Sequence, residues 1–281
     1  MYSLMRSRQI QAYLSQEELL REKAVLKPGF PTFFGTATTT GAAQTVTLNE
    51  WNCVLPTTIF WGDGASTVHP ANQDGVSVAH EYAAAGTYTI KLAVAPSAVR
   101  EIDFRDAKLT LNSVNFRKCT GVTYLRLNSL AGGVLSSGDL ASMPLTYLHL
   151  YNLPGMSGVF NSADLAGMNL TNLELISLTG HTHTIAAADF EGFTNLGSCY
   201  YHNNSLTQAQ VDAILAGLYT AFASRTVAGG TLNVGGTNAA PSGTYQAQCP
   251  PTTGKERAYE LLNDSCEVNP TKKWATVTFT A

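Results

Sequence analysis

Three aspartates recur in the chain at a constant interval of 25 residues: Asp139, Asp164 and Asp189. Each begins a similar phrase of five residues, and each is followed at once by a large apolar side chain. A repeat of this length predicts a stacked solenoid, because a single unit is too short to bury its own apolar face. A solenoid offers a partner an extended surface rather than a deep pocket. This one feature therefore limits both the fold and the kinds of site to expect.

A second repeated phrase accompanies the aspartates and has the pattern L-x-x-L-x-L-x-x-L, or the same pattern ending in N. Clear copies begin at Val122, Leu145 and Leu170, and a degenerate copy begins at Leu196. Weaker copies cover residues 99–104, 232–234 and 274–279. The alternation at the centre of the phrase predicts a short strand with one buried face. Cys119 and Cys199 stand where other copies place an apolar residue, so we expect both to be small core residues.

These units resemble bacterial leucine-rich repeats of the BspA-like type that bacteria and phages share. The resemblance implies a repeat solenoid over residues 96–281, closed by an atypical C-terminal unit that acts as a cap. Within it, Thr207 and Gln210 form a capping box and predict a helix to Phe222. A short helix over 255–263 and a closing strand over 274–280 are expected after it.

Residues 45–95 carry a different pattern of alternating strands and glycine turns. The strand 57–61 runs into the turn Gly62-Asp63-Gly64, and two further alternating segments cover 76–82 and 86–94. The order W-G-D-G, H-x-Y and G-x-Y-x-I-x-L resembles the PKD domain. That resemblance implies an immunoglobulin-like β-sandwich that serves as a spacer or adhesion module. Its first strands are expected at 44–48 and 51–55.

Residues 1–44 are predicted to form an N-terminal arm and linker. Ser15 and Glu18 are spaced as a capping box, and Pro28-Gly29 ends the helix that they begin. The apolar stripe of this helix consists of Leu19, Leu20, Val25 and Leu26. Because the stripe is too short to be stable alone, it is expected to dock on the rest of the chain or on another subunit. The segment 35–43 is interpreted as a linker or an extended edge strand.

The predicted fold class is therefore mainly β with some α: a helical arm, a PKD-like sandwich and a capped repeat solenoid. Charged residues make up 13% of the chain and the net charge is −3, which argues against a nucleic-acid partner. No apolar stretch approaches a membrane span, and the first residues lack the apolar core of a secretory signal. Five scattered cysteines do not indicate a disulfide framework, although Cys249 and Cys266 can pair near the C-terminal end.

The candidate binding face consists of the side chains that point outward between the repeat leucines. Tyrosine on a rigid sheet provides contact area at low entropic cost, and the alternative is that these are ordinary exposed strand residues or are covered by a neighbouring subunit. The face is predicted to contain Tyr124, Arg126, Tyr147, His149, Tyr151, Glu174, Tyr200 and His202. No residue is predicted to bind a cofactor, and no metal site is predicted.

Three other features have both a structural and a functional interpretation. Asp63 is expected to cap the backbone of its own turn rather than to bind calcium. The aspartate row is expected to satisfy free amides at the start of a turn in each repeat. His181 and His183 are placed in a loop after a repeat strand, where no further ligand is spaced to complete a zinc site.

The sequence predicts a protein without enzymatic activity, because no nucleophile elbow, P-loop, dinucleotide fingerprint or paired-carboxylate pattern is present. The resemblances, including the phrase around 203–215 and the turn 235–242, imply a virion structural or adhesion protein of a tailed phage or a related particle. The expected partners are other virion proteins through the arm and a host glycan or protein through the repeat face, in a multicopy assembly. The alternative is a bacterial cell-surface adhesin.

Overall fold

The computed structural model describes residues 32–106 and 108–281. Within them the chain forms eighteen strands and two α-helices, which confirms the predicted class of mainly β with some α. The predicted arm, with its stripe of Leu19, Leu20, Val25 and Leu26, lies outside the described residues. No helix in the described part of the chain is both long enough and apolar enough to cross a membrane.

The N-terminal β region contains seven antiparallel strands. They are β1 (Thr32–Thr39), β2 (Gln44–Leu48), β3 (Glu50–Cys53), β4 (Thr57–Phe60), β5 (Ser66–His69), β6 (Val78–Tyr82) and β7 (Gly86–Ala93). Trp51, Trp61 and Tyr82 are fully buried at its centre. Both indole N–H groups donate to threonine hydroxyls, those of Thr57 and Thr67, at 3.0 Å. The sequence placed these strands correctly to within two residues, apart from β1 and β5.

The leucine phrases form one parallel sheet. Its strands are β8 (Val99–Phe104), β10 (Tyr124–Asn128), β12 (Tyr147–Tyr151), β14 (Asn172–Ile176), β16 (Ser198–Tyr200), β17 (Thr231–Asn233) and β18 (Thr276–Thr278). They are hydrogen-bonded in this order, and leucines of successive copies lie side by side, as Leu125, Leu148 and Leu173 do. All three are fully buried. Every predicted copy, strong or weak, therefore contributes a strand to the same sheet.

Between these strands the chain crosses to a second parallel ladder that the leucine phrases did not predict. It consists of β9 (Leu109–Asn112), β11 (Gly132–Leu135), β13 (Met156–Asn161) and β15 (His181–Thr184). The expectation that His181 and His183 lie in a loop is wrong, because both belong to β15. The chain thus alternates between two sheets from β8 to β16, and each complete coil crosses from one sheet to the other and back.

The two ladders continue into the N-terminal β region without a break. β3 pairs antiparallel with β8, and β1 pairs antiparallel with β9 on one side and with β7 on the other. Each of the two main sheets consequently has eight strands. Residues 35–39, interpreted from sequence as part of a linker or an edge strand, lie in the interior of a sheet. The tight approach of Gly35 to β9, where a Cβ would lie 2.7 Å from the Thr110 carbonyl oxygen, explains the glycine there.

Two helices cover the C-terminal coils. α1 (Gln208–Phe222) has Thr207 as its N-cap, and Thr207 forms the predicted capping box with Gln210. α2 (Gly254–Asn263) has Thr253 as its N-cap, and Thr253 forms a second capping box with Glu256. Both helices lie within one residue of their predicted bounds. Their apolar sides close the core beyond β16, where the regular coil ends.

Buried polar side chains tie successive coils together. The Asn238 side chain accepts hydrogen bonds from the backbone N–H groups of Asn204 and Leu206, and it donates to the carbonyls of Tyr201 and Val234. Asn204, which ends the repeat phrase of its own copy, accepts from the N–H of Leu178 in the preceding coil at 2.7 Å. Because these amides are buried, leaving them unpaired would cost free energy in each coil.

Asp139 and Asp164 accept from backbone amides as expected of the aspartate row, whereas the observed partner of Asp189 is a serine hydroxyl. Asp164 accepts a hydrogen bond from Gly138 N–H, and Asp189 accepts one from the hydroxyl of Ser162. Both partners belong to the preceding coil, so these carboxylates join neighbouring coils. Asp139 accepts from Ser136 N–H in its own turn and from Arg117.

The cysteines divide into a pair and three single residues. Cys249 and Cys266 form a disulfide that closes a span of 17 residues across the C-terminal cap. Cys53, Cys119 and Cys199 are reduced and buried, which confirms the core positions predicted for the latter two.

Candidate functional site

The residues predicted to form the binding face lie in aligned columns on the sheet of leucine strands. Tyr124 lies opposite Tyr147, Arg126 opposite His149, and His149 in turn opposite Glu174. Tyr200 continues the same column beyond Glu174. The register inferred from the repeats is therefore the register of the hydrogen-bonded ladder, and it brings these six residues onto one side of four adjacent strands.

The tyrosine column is a stacked pair. The rings of Tyr124 and Tyr147 are 4.3 Å apart between centroids and nearly parallel, at 11°. Burial raises the pKa of Tyr147 to about 12, and the nearby carboxylate of Glu174 acts in the same direction. Burial also raises the pKa of Tyr124. Both hydroxyls therefore remain protonated near neutral pH and are available as hydrogen-bond donors.

The central column carries the charges of the face. His149 Nδ1 lies 2.8 Å from Glu174 Oε2, and Asn172 donates to the other oxygen of the same carboxylate. The hydrogen bond with His149 is the main reason why the pKa of Glu174 is lowered. His149 itself is only 8% exposed, whereas the sequence placed it on an open surface. The rings of Tyr147 and Tyr151 stand on either side of it and account for this burial.

The remaining predicted residues lie toward one end of the strands. Tyr151 is the most exposed residue of the set, at 39%. His202 packs against the edge of the Tyr200 ring, with centroids 6.2 Å apart. These side chains and the tyrosine pair form a rim of aromatic groups around a buried polar centre. Such a surface suits contact with a partner and offers no group positioned as a nucleophile with its base.

The face extends further than the sequence predicted. Asp103 of β8 lies beside Arg126 in the central column, is fully buried and pairs with Arg105. Glu101 lies beside Tyr124. Continuing the repeat columns into the weak copy at 99–104 would have found both. Glu50 of β3 adds a further carboxylate opposite Asp103, and no local sequence signal links β3 to the repeats.

Within residues 32–106 and 108–281, two groups of side chains have the composition of a metal site. Glu50, Asp74 and Glu101 bring oxygen atoms within 4.8 Å of one another, an arrangement of hard ligands suited to a divalent cation. Burial raises the pKa of Glu101, as do the neighbouring charges of Asp74 and Glu50. Glu50 already accepts a hydrogen bond from Gly75 N–H. The second group, Cys249, Glu260 and Cys266, cannot bind metal through sulfur while its cysteines form the disulfide.

Asp63 has the structural role predicted for it. Its carboxylate accepts a hydrogen bond from Ala65 N–H at 3.0 Å and therefore caps its own turn. The other oxygen lies 2.6 Å from Nε2 of His80, which stacks on Trp61. The turn is thus fixed to the strand β6, a partner that the sequence pattern alone did not identify.

The comparisons with known proteins give no relative. No family model, no curated protein and no solved structure matches the chain. What the chain does must therefore be argued from its own residues and geometry.

Proposed function

We propose that the chain is a non-enzymatic structural and adhesion protein of a virion, from a tailed phage or a related particle. In this proposal the N-terminal β region is a PKD-like module and residues 96–281 are a capped leucine-rich repeat solenoid. The protein serves either as a capsid decoration protein or as a tail-fibre receptor binder. It acts in many copies, and neither nucleic acid nor a membrane is among its partners.

One observation carries the adhesive part of the proposal. Side chains of the predicted face lie in register over adjacent strands, so that Tyr124, Tyr147 and Tyr151 are held by a continuous hydrogen-bonded sheet. A binding surface gains affinity when its aromatic side chains are already ordered before the partner arrives. The joined sheets also support the display of the face on a particle, because they leave no flexible linker between the face and the N-terminal β region.

The proposed ligand of this face is a host surface glycan or protein. The triple substitution Tyr147→Ala, His149→Ala and Tyr151→Ala should reduce host adsorption of particles by at least about tenfold, the effect of losing roughly 1.4 kcal/mol of binding free energy. The matched control is Val159→Ala with Thr182→Ala, two exposed positions on the other sheet. Equal adsorption by both variants would favour capsid decoration over receptor binding.

The proposed anchor on the particle is the arm, which contacts other virion proteins through Leu19, Leu20, Val25 and Leu26. Deleting residues 1–30 should abolish incorporation into particles while leaving β1 and the two main sheets intact. Copies per particle can be counted by quantitative gel analysis, and circular dichroism reports the fold. Full occupancy by the truncated protein would assign the anchor to another part of the chain.

A bacterial cell-surface adhesin is the second candidate, and the disulfide between Cys249 and Cys266 favours it. Disulfides persist in oxidising surroundings such as a cell surface, and are rare in the cytoplasm where virions assemble. The genes beside this one discriminate between the two functions. Portal, capsid or tail genes would support the virion, and a secretion or surface-anchor gene would support the adhesin.

A further inference from the structure

Two histidines that the binding face does not use are buried on β15. His181 and His183 point to the same side of this strand, and each is only 8% exposed. Their neighbours on β13 are Gly158 and Phe160, which carry no polar side chain. β15 is the last strand of its ladder, so the pair lies where the regular coils meet the helical cap.

The two rings have few polar contacts for groups buried so deeply. His183 Nδ1 is hydrogen-bonded to the hydroxyl of Tyr201 at 2.8 Å. His183 Nε2 and both ring nitrogens of His181 are buried and make no well-aligned hydrogen bond among the described protein atoms. The backbone carbonyl of Leu178 lies near both rings and favours their protonated forms, but burial outweighs it. The phenyl ring of Phe160 is 6.0 Å from the His183 ring, which makes the surroundings largely aromatic.

Among the residues that the structure describes, no carboxylate is placed to compensate a positive charge on either ring. The carboxylate of Asp189, which follows β15 in the chain, is already paired because it accepts a hydrogen bond from the hydroxyl of Ser162. From α1, Asp212 accepts a hydrogen bond from Ser242 N–H in the cap. Tyr201 faces His183 directly, and His181 and His183 are close enough to repel each other once charged.

A direct contact links β15 to the start of α1. The side-chain amide of Gln210 donates to the backbone carbonyl of His183 at 2.6 Å. The same residue completes the capping box of α1. Any displacement of β15 by a charged ring therefore also disturbs the first turn of the helix.

We propose that His181 and His183 form an acid-sensitive latch, in which protonation in mild acid loosens the contact between β15 and α1. At neutral pH both rings are uncharged and the latch is closed. In acid, a charged imidazole is stable only when water reaches it, and that requires β15 and the N-terminal turn of α1 to separate. The inference concerns the stability of the cap and holds whether or not the binding face has the function proposed above.

The pH range of the latch follows from the direction of the shifts. Burial lowers the pKa of His183 to about 4 and lowers the pKa of His181 as well. In the open state both rings return to the ordinary value near 6.5. A lowered pKa in the closed state means that the closed form is fully favoured above about pH 6.5 and loses stability as the pH falls toward 4.

Hydrogen exchange followed by mass spectrometry tests the proposal on the full-length protein. After correction for the intrinsic pH dependence of exchange, peptides covering 181–222 should open about 20-fold more readily at about pH 5 than at about pH 7. This factor counts only the protonation of His183. Peptides from β7 provide the internal reference. The variant His183→Gln keeps a neutral acceptor for Tyr201 and should remove most of the acceleration, whereas Thr182→Gln on the outer side of the same strand should retain it.

Proton NMR of the imidazole rings gives a test that depends on no variant. In the folded wild-type protein His183 should remain uncharged at about pH 5.5, because burial lowers its pKa to about 4, and His181 should titrate below its ordinary value. The proposal fails if all histidines titrate near their ordinary value while the protein stays folded. It also fails if exchange over 181–222 accelerates equally in wild type and His183→Gln. Should His183→Gln not fold, His181→Gln provides the second variant, with a smaller expected effect of the same sign.

Discussion

Asp63 in the N-terminal β region has two hydrogen-bond partners, and the sequence pattern identified only one of them. Asp63 caps its turn with one oxygen and meets His80 with the other. Burial raises the pKa of Asp63, but the hydrogen bonds from His80 and from Ala65 N–H outweigh burial and bring it below its ordinary value. The W-G-D-G motif indicated the cap. The pairing with His80 depends on the distance between two strands, which no local pattern encodes.

Replacing Asp63 by asparagine separates these two roles. Asp63→Asn retains an oxygen for Ala65 N–H and loses the charge beside His80, so urea unfolding near neutral pH should show a loss of about 1 kcal/mol. Asp63→Ala should lose more, because the turn amide is then also unpaired. The loss caused by Asp63→Asn should shrink as the pH falls below about 3.9, the ordinary pKa, and should vanish once the wild-type carboxyl is protonated in the folded protein as well. A difference in unfolding free energy between wild type and Asp63→Asn that persists unchanged in acid would contradict a role for the charge of Asp63.

At the scale of the secondary-structure elements, the two parallel ladders were not equally predictable. The leucine phrases alternate apolar and polar residues, and this pattern placed β10, β12 and β14 in register. β11 and β13 lack that alternation and depend instead on Gly133 and Gly158, which have φ values of 140° and 120°. A Cβ at either position would lie within 2.1 Å of a carbonyl oxygen of the preceding coil. These glycines are 25 residues apart, so the second ladder did have a signal, carried by glycine rather than leucine.

Four strands of the leucine sheet, β10, β12, β14 and β16, are each followed within three residues by a residue with a left-handed backbone. Ser129, Asn152, Ser177 and Asn203 all have φ between 47° and 59°. Asparagine and glycine tolerate this conformation better than serine does. Ser177→Asn should therefore raise the free energy of unfolding by about 0.5 kcal/mol, and Ser177→Gly should have a similar effect.

Thermal unfolding of these variants measures the effect, and Ser157→Gly provides the control. Ser157 lies on β13 with an exposed side chain, and glycine there should destabilise the strand by roughly 0.5–1 kcal/mol. Stabilisation at both positions would mean that the left-handed turn is not the cause.

At the scale of the whole molecule, the disulfide restrains an exposed part of the C-terminal cap. Residues 243–250 are all exposed, and Cys249 within them is held to Cys266 after α2. Closing a loop of this size contributes about 3 kcal/mol in the chain-entropy description. Reduction should lower the unfolding midpoint correspondingly.

Thiol labelling shows which cysteines take part. The remaining three are buried, and burial raises the pKa of Cys53 to about 11 and that of Cys199 to about 12. Native protein should react with iodoacetamide at no cysteine before reduction and at two after it. Labelling of a third residue under native conditions would show that the core opens more readily than its packing implies.

The joined sheets make the N-terminal β region and the repeats one structural unit, whatever boundary the motifs suggest near residue 95. β8 and β9, the first strand of each ladder, take their outer partners from β3 and β1. Calorimetry of the full chain should therefore show one unfolding transition. A fragment of residues 96–281 should self-associate, because two unprotected strand edges invite pairing with another copy.

Gly35 tests the pairing of β1 with β9 within the intact chain, because a Cβ there would lie 2.7 Å from Thr110 O, whereas Gly41 has no such neighbour. Gly35→Ala should lower the single melting temperature, and Gly41→Ala should leave it nearly unchanged. Two separate unfolding transitions in the wild type would instead mean that each region folds on its own and that the repeat face can move relative to the N-terminal β region.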